Sequence, residues 1–398
     1  MKPTIRLGLL CIALSLSAHA QEAFLAGTGD GLYRIGNGRA ERLWQQAEVR
    51  RIERTADSWV FLTGGGVFAS RDLKVFEDRN GGLPVKLLKI PGEGKRDFRQ
   101  EVQGLMDLAL HPRNPLVMAT ATKDAVYLTR DGGLTWGSEG TSALTAGIKA
   151  VAVLDLPDRD GVPRTTVLMS HPIYGVSWRQ GGVPGSRWTD INDGLEKMPS
   201  IKWPDEVSDF HAVAKDGSVE LYASQTFMPR VYRLDWANKR WVPVWSGPGR
   251  LGTVDGLAAG KSSLVFASAD SIREISLDPA ATGASTGAAV AQPARDAIDI
   301  RRSLAPVTGV ILSAWVPPAF SGGRGSLSLS ELWLLSPSRQ TSRYSAAASG
   351  KKGNYLPVHQ VTTDAGLDAH LDTLRKNGLN MLVVDMKDDK GFLRYNPK

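Results

Sequence analysis

The chain has 398 residues, with 48 basic and 41 acidic ones and a formal charge of +7, and it carries a single cysteine. That length exceeds the usual single-domain range, so at least two domains are expected. The basic residues form small scattered clusters at Arg50, Arg51 and Arg54, at Lys95, Arg96 and Arg99, and at Arg301 and Arg302. None is interleaved with aromatics along one face. This excludes a single-strand groove, predicts no nucleic-acid partner, and reads the clusters as solvated faces.

The first twenty residues read as an export signal. Lys2 and Arg6 make a positive start, Leu7 to Leu16 an apolar stretch, and Ala18-His19-Ala20 a small-x-small cleavage site ahead of Gln21,. The stretch is too short to span a bilayer, and no later segment approaches twenty uninterrupted apolar residues, so no transmembrane segment is expected after cleavage. Cys11 lies within the signal. The chain beyond it therefore has no thiol for a disulfide, a thiolate metal site or a cysteine nucleophile, and an exported protein of this kind relies on packing. The expected location is periplasmic or extracellular.

From Gln21 to Ser336 short strands alternate with turns rich in Gly, Pro and Asp, and one pattern returns. A short apolar or aromatic strand occurs as Gly31–Arg34, Gly66–Ala69, Ala125–Leu128, Gly175–Trp178, Val231–Leu234, Ile272–Ile275 and Leu332–Leu335, seven times in all. Recurrence at roughly 35 to 60 residues means blades or solenoid turns. In the first five a second aromatic follows at hairpin distance: Trp44, Phe76, Trp136, Trp188 and Trp241,. An alternating strand precedes each hairpin, as in Trp59–Leu62, Leu116–Ala119, Thr166–Met169, Leu221–Ser224 and Leu264–Ala267. Innermost strands can be read at Leu105–Leu110 and Ala150–Leu154. Four strands per repeat, radially arranged, predict an all-β propeller of about seven blades; six or eight fit if the stretch Ala280 to Arg302 hides a strand or if the first and last repeats close one blade together.

Thr129-Arg130-Asp131-Gly132-Gly133-Leu134-Thr135-Trp136 fits Ser/Thr-x-Asp-x-Gly-x-Thr-Trp. It resembles the Asp-box of sialidase, sortilin-type and photosystem-assembly propellers. Asp131 can accept from backbone amides, Gly133 can take positive φ, and Trp136 can fill the gap between blades, while Thr129 opens the turn. These roles are structural. Ser70-Arg71-Asp72 with Phe76 looks like a decayed copy. A sialidase site would need three convergent arginines, a Tyr–Glu pair and an acid near the channel, and no ordered set can be assigned, so a binding or spacing module is preferred. His111, His171 and His211 are read as lone surface histidines in loops, with no metal-ligand spacing,. Neither metal nor cofactor is expected.

Ala280 to Arg302, rich in Ala, Gly, Ser and Thr, reads as a flexible insertion, and 337–350 as a domain linker,. Residues 351–398 then predict a βαβ unit. Asn354–Val358 is a strand, Thr363 or Asp364 caps a helix, and Leu367, His370, Leu371 and Leu374 make its apolar stripe,. Asn377-Gly378 ends the helix, and Met381–Val384 has the continuous apolar run of a parallel strand,.

From Lys351 to about Asn396 the series Lys-Gly-x-Tyr, helix, Asn-Gly-Leu-Asn, Leu-Val-Val-Asp, Lys-Asp-Asp resembles the start of a glycoside-hydrolase-like domain, related to amylase-like (β/α)8 barrels. The resemblance implies that strand carboxyl ends face substrate, which makes Asp385, Lys387, Asp388, Asp389 and His359 the substrate-face candidates. It also implies that the acid and nucleophile of glycoside hydrolysis come from later strands, so the chain as given is expected to be silent and its catalytic residues are not identified. The implied role is polysaccharide binding or hydrolysis. The alternatives are an envelope scaffold that binds protein partners through the propeller, and a propeller sialidase.

Overall fold

The computed structural model describes residues 24–46, 48–89, 98–102, 104–140, 147–172, 174–197, 206–215, 217–225, 228–247, 254–259, 263–268, 271–276, 295–298, 304, 306–307, 310–316, 325–328, 345–356 and 363–384. Two compact units divide the chain, residues 1–336 and 337–398.

The first unit is built of antiparallel sheets. Sheet I contains β1 (Phe24–Thr28), β2 (Leu32–Gly36) and β3 (Arg39–Trp44) together with the late strands β26 (Ile311–Val316) and β27 (Gly325–Ser328), in the order β27-β26-β1-β2-β3. Each of the next sheets is a four-strand meander. Sheet II has β4 (Arg51–Arg54), β5 (Trp59–Thr63), β6 (Gly66–Ser70) and β7 (Glu77–Asp78). Sheet III has β10 (Leu105–Leu110), β11 (Met118–Thr122), β12 (Val126–Thr129) and β13 (Gly137–Gly140). Sheet IV runs through β14 (Val151–Pro157), β15 (Pro163–His171), β16 (Gly175–Gln180) and β17 (Thr189–Asp190). Sheet V holds β18 (Val207–Lys215), β19 (Ser218–Gln225), β20 (Arg230–Asp235) and β21 (Arg240–Ser246). Sheet VI holds β22 (Val254–Ala259), β23 (Ser263–Ser268), β24 (Ser271–Ser276) and β25 (Arg295–Ile298). A separate hairpin, β8 (Val85–Lys89) with β9 (Phe98–Val102), stands between sheets II and III in sequence.

The leading strands touch in sequence order. β4 and β5 meet β10, β10 meets β14, β14 meets β18, β18 meets β22, β22 meets β27, and β26 and β27 return to β4. The sheets therefore close a six-membered ring in which sheet II lies opposite sheet V, the arrangement of a propeller. The ring is sealed by β1 pairing antiparallel with β26, Leu25 opposite Trp315 and Ala26 opposite Ala314. The described residues thus give six sheets where the sequence pattern returns seven times. Strands from both ends of the ring region share sheet I; the seventh recurrence, Leu332–Leu335, lies outside the described residues.

The core sits in the seams between neighbouring sheets, because a sheet with two apolar faces must cover both. Leu168, Val176 and Ile191 of sheet IV pack on Phe210, Leu221, Tyr232 and Trp241 of sheet V, and Val60, Leu62 and Val67 of sheet II pack on Leu108, Met118 and Trp136 of sheet III.

In the second unit, α1 (Ser345–Ala348) precedes β28 (Gly353–Leu356), α2 (Asp364–Lys376) and β29 (Met381–Val384). β28 and β29 pair in parallel, from Gly353 with Met381 to Leu356 with Val384. Thr363 caps α2 by accepting from the Gly366 N–H, and Leu374 is the buried residue of its stripe. Asn380 fixes the strand starts: its Oδ1 accepts from the Lys352 N–H at 2.7 Å and its Nδ2 donates to the Gly350 carbonyl. Among the described residues no helix is long and apolar enough to cross a membrane.

Candidate functional site

Strand alternation places Arg51 and Glu53 on one face of β4, and Asp209 and His211 on one face of β18,. Asp107 on β10 and Asp209 each directly follow a shift in pairing register, between Leu105 and Asp107 and between Val207 and Asp209. Such a bulge turns the following side chain out of the regular pleat. The carboxylates meet Arg51 at the ring axis. Arg51 Nη1 donates to Asp107 Oδ1 and to Asp209 Oδ1, both at 2.8 Å, and Nε donates to Glu53 Oε1 at 2.7 Å. Asp107 also accepts from the Val151 N–H at 2.9 Å through Oδ2, and from the Leu108 N–H through Oδ1. One side chain of sheet II thereby spans the axis to sheet V, and the same network holds sheets III and IV.

This cluster is buried, with the Arg51 side chain only 4% exposed. Burial opposes charge here, while proximity favours it. The three carboxylates together hold the Arg51 guanidinium above its ordinary value against its own burial. Burial pushes the Asp107 carboxyl up to about 6, against the pull of Arg51, and pushes Glu53 up as well. His211 goes the other way: burial, helped by Arg51, lowers its imidazole to about 4. The imidazole is neutral at pH 7.

Beside the cluster lies a cavity of about 310 Å³ including its open mouth, lined by Arg51, Glu53, Leu110, Val153, Phe210 and His211 among others. Its inner part leaves room for little more than water,. Arg51 is the one arginine in its lining, and it is engaged by three carboxylates. The three-arginine arrangement of a sialidase is not formed there, and among the described residues no group of His, Cys, Asp and Glu could hold a metal ion.

The sequence reading missed this site. Arg51 was grouped with solvated arginines, and it is buried. The three histidines also differ from the surface reading. His111 is 5% exposed, its Nδ1 accepting from the Arg113 and Asn114 N–H groups; His171 ends β15 at 2% exposed; His211 is half-buried in the middle of β18. His111 and His171 stand where a strand meets a turn, and their Nδ1 atoms accept from backbone N–H groups of that turn; His211 lines the cavity beside Arg51. The available signal was the spacing Arg51-x-Glu53 and Asp209-x-His211, polar pairs two apart on strands whose neighbours are apolar.

At the outer edge, Thr129 Oγ1 donates to Asp131 Oδ1 at 2.7 Å and accepts from the Gly133 N–H at 3.0 Å. Asp131 accepts from the Thr135 N–H at 2.9 Å and, through Oδ2, from the Thr135 hydroxyl at 2.6 Å, bonds that hold its carboxyl down at about 2. Gly133 has φ 86°, and a Cβ there would sit 3.0 Å from Arg79 Cβ. Trp136 is buried; its Nε1 donates to the Arg79 carbonyl and its N–H to the Gly81 carbonyl, both at 2.8 Å and both on the preceding sheet's side of the seam. Trp241 repeats this, donating to the Ile191 and Asp193 carbonyls. Each tryptophan lands on an Asn-x-Gly-Leu turn, Asn80–Leu83 or Asn192–Leu195, whose Asn Oδ1 accepts from Val67 or Val176 at 2.7 Å. That repeat escaped the sequence reading.

The remaining candidates are in the second unit. His359, Asp385, Lys387, Asp388 and Asp389 lie outside the described residues. The parallel pairing of β28 and β29 does put the carboxyl ends of both strands at one edge, where Leu356 is opposite Val384.

No protein-family model matches the chain, and no curated protein matches it significantly. Among solved structures it is similar to the extracellular domain of BT4673 from B. thetaiotaomicron, with 10% identity and a TM-score of 0.44, over 77% of this chain and 36% of that one. It is also similar to the GH74 enzyme of Niastella koreensis, with 16% identity and a TM-score of 0.41, over 64% of this chain and 42% of that one. A chain of a nidogen/laminin complex aligns at 10% identity and a TM-score of 0.41, over 71% of this chain and 94% of that one.

Proposed function

We propose that this is an exported protein that engages polysaccharide, in which the six-sheet ring is a rigid binding or spacing module and any chemistry belongs to the α/β unit. The observation that carries this reading is the division of labour between the two. At the ring axis, where a propeller would hold a catalytic site, the polar groups are spent on one another. In the second unit, two parallel strands end side by side at Leu356 and Val384, and in the sequence His359 and the run Asp385 to Asp389 follow them. Carboxyl ends of parallel strands are where α/β folds bind their ligands. The resemblance of residues 351–396 to a glycoside-hydrolase-like domain names polysaccharide as the ligand class.

Affinity electrophoresis through gels of soluble polysaccharides, with pull-down on insoluble ones, tests the reading. Retardation by at least one polymer, reduced by the double change Asp385→Ala and Asp388→Ala, is the expected result. Absence of retention across the panel overturns it.

A scaffold that binds protein partners is the second reading, favoured by the hairpin β8–β9. Its Val85 and Leu87 are 50% and 63% exposed, on one face by strand alternation, as a docking strand would present them,. Capture of one envelope protein by the intact chain, lost on Val85→Asp with Leu87→Asp, distinguishes it from polysaccharide binding.

A further inference from the structure

Trp178 and Trp236 keep part of their surface in water, unlike the buried Trp136 and Trp241. Trp178 lies on β16 of sheet IV, and Trp236 opens the tight turn between β20 and β21 of sheet V. Both pack against the core shared by these two sheets. Their rings meet edge to face, with centroids 4.8 Å apart at 81°. The Trp236 indole N–H donates to the Pro157 carbonyl at the end of β14, at 2.7 Å, so the ring is held in place before any ligand arrives,.

The same turn sets a cation on this surface. Lys239 has φ 53°, a left-handed conformation uncommon for a lysine, and its N–H donates to the Trp236 carbonyl,. Its Nζ stands 3.0 Å from the centre of the Trp236 ring and 5.6 Å from that of Trp178. The acid of the turn is already engaged: Asp235 accepts from the Asn238 N–H and side-chain amide and faces Arg240 at 4.0 Å. Among the described residues no carboxylate pairs with Lys239, which is exposed and has the two indoles for neighbours.

This combination selects a ligand. The face of an indole is negative, so it attracts polarised C–H groups such as those on the flat side of a sugar ring. An unpaired ammonium attracts an anion. A neutral sugar leaves the ammonium unanswered, and a small inorganic anion leaves the indoles bare. A sugar that carries a carboxylate answers both. A cation stacked on an exposed ring is held weakly, so a carboxylate can draw the ammonium aside and open the indole face. We propose that Trp178, Trp236 and Lys239 form a subsite of the ring for acidic polysaccharide, in which a uronate carboxylate pairs with Lys239 and the C–H face of its sugar lies on Trp236. The subsite rests on the polysaccharide reading and narrows it to uronate polymers.

Affinity electrophoresis of the full chain tests it, through gels of polygalacturonate and alginate, of neutral hydroxyethylcellulose and galactomannan, and of polyglutamate as a carboxylate polymer without sugar. The wild type is expected to be retarded more by a uronate polymer than by polyglutamate. Lys239→Gln should weaken that retention roughly three- to five-fold, while Lys239→Arg keeps it. Trp236→Ala should weaken it roughly ten-fold. If Trp236→Ala fails to fold, the two exposed changes at Lys239 decide. Equal retention by polyglutamate, or retention by uronate polymers that Lys239→Gln leaves intact, overturns the subsite. Retention by neutral polymers alone, or lost only through Asp385→Ala with Asp388→Ala, overturns the subsite and leaves the broader reading standing. No retention on any polymer overturns both.

Discussion

The outer seams and the axis of the ring solve the same problem, joining neighbouring sheets, with opposite chemistry. At the seams a tryptophan from one sheet fills the gap and donates its indole N–H to a backbone carbonyl of the previous sheet, as Trp136 does to Arg79 and Trp241 to Ile191. The partners are backbone groups in tight turns, and the device repeats. At the axis, one arginine ties its own sheet to sheets III and V through side chains, and Asp107 extends the network to the Val151 N–H of sheet IV. A repeated apolar plug is redundant. A single buried ion network is not, since removing its cation leaves charges that neither water nor protein compensates.

The largest expected effect therefore comes from Arg51→Met. It keeps a side chain of similar length and strands Glu53, Asp107 and Asp209 without their cation, at a cost of about 3–5 kcal/mol. Urea unfolding would read this as a large fall in midpoint. A change below about 1 kcal/mol would mean that the axis is hydrated well enough to need no arginine, and the contrast with the seams would collapse.

Next in size is Gly194→Ala. Gly194 has φ 87°, and a Cβ there would lie 2.0 Å from the Trp241 carbonyl oxygen, a backbone atom that cannot move aside. About 1–3 kcal/mol is expected from the strained conformation alone. Gly161→Ala, which also has positive φ but nothing within 4 Å, is the control that separates backbone strain from seam contact. Equal losses at both would show that the close approach to Trp241 adds nothing.

Trp241→Phe should cost less, about 1–2 kcal/mol, because the ring still fills the seam while the Ile191 carbonyl loses its donor,. Melting curves of this variant beside Trp136→Phe measure whether the two seams are equivalent.

The same contrast governs what the sequence made legible. Five of the seven recurring strands fall on the third strand of the four-strand sheets, β6, β12, β16, β20 and β24, and a sixth falls on β2, next to the outer strand of sheet I. They were readable because a blade is a local object, and its aromatic pair lies within one hairpin. The seams were half-readable. Trp136 and Trp241 stand out by type, but the carbonyls that receive their indole N–H groups, Arg79 and Ile191, lie 57 and 50 residues upstream beside otherwise ordinary turn sequences. The axis was not readable at all, since Arg51 meets Asp209 across 158 residues and only ring closure brings them together. Ring closure was hidden for a related reason: the sequence of β26 does not say that its partner is β1 at the other end of the ring. In the second unit the parallel pairing followed from the apolar run Met381–Val384, whereas the bridging of Lys352 and Gly350 by Asn380 left no pattern.

The smallest effect sharpens the comparison most, because it concerns sign. Asp131 sits on the outer turn, and the hydrogen bonds from Thr135 and Thr129 hold its carboxyl down at about 2. A lowered carboxyl contributes stability above its unfolded value near 4 and loses that contribution as pH falls through about 2,. Asp131→Asn should therefore be slightly less stable than the wild type at neutral pH, and the gap should close between about pH 4 and pH 2. Asp107 at the axis is raised, so its contribution grows in the window where that of Asp131 is still intact. Acid thus strengthens the carboxylate of the axis before it weakens that of the rim. Paired melts of Asp131→Asn and the wild type at successive pH values would show the rim's share, and a gap that widens toward acid would mean that the turn does not hold Asp131 as an ion.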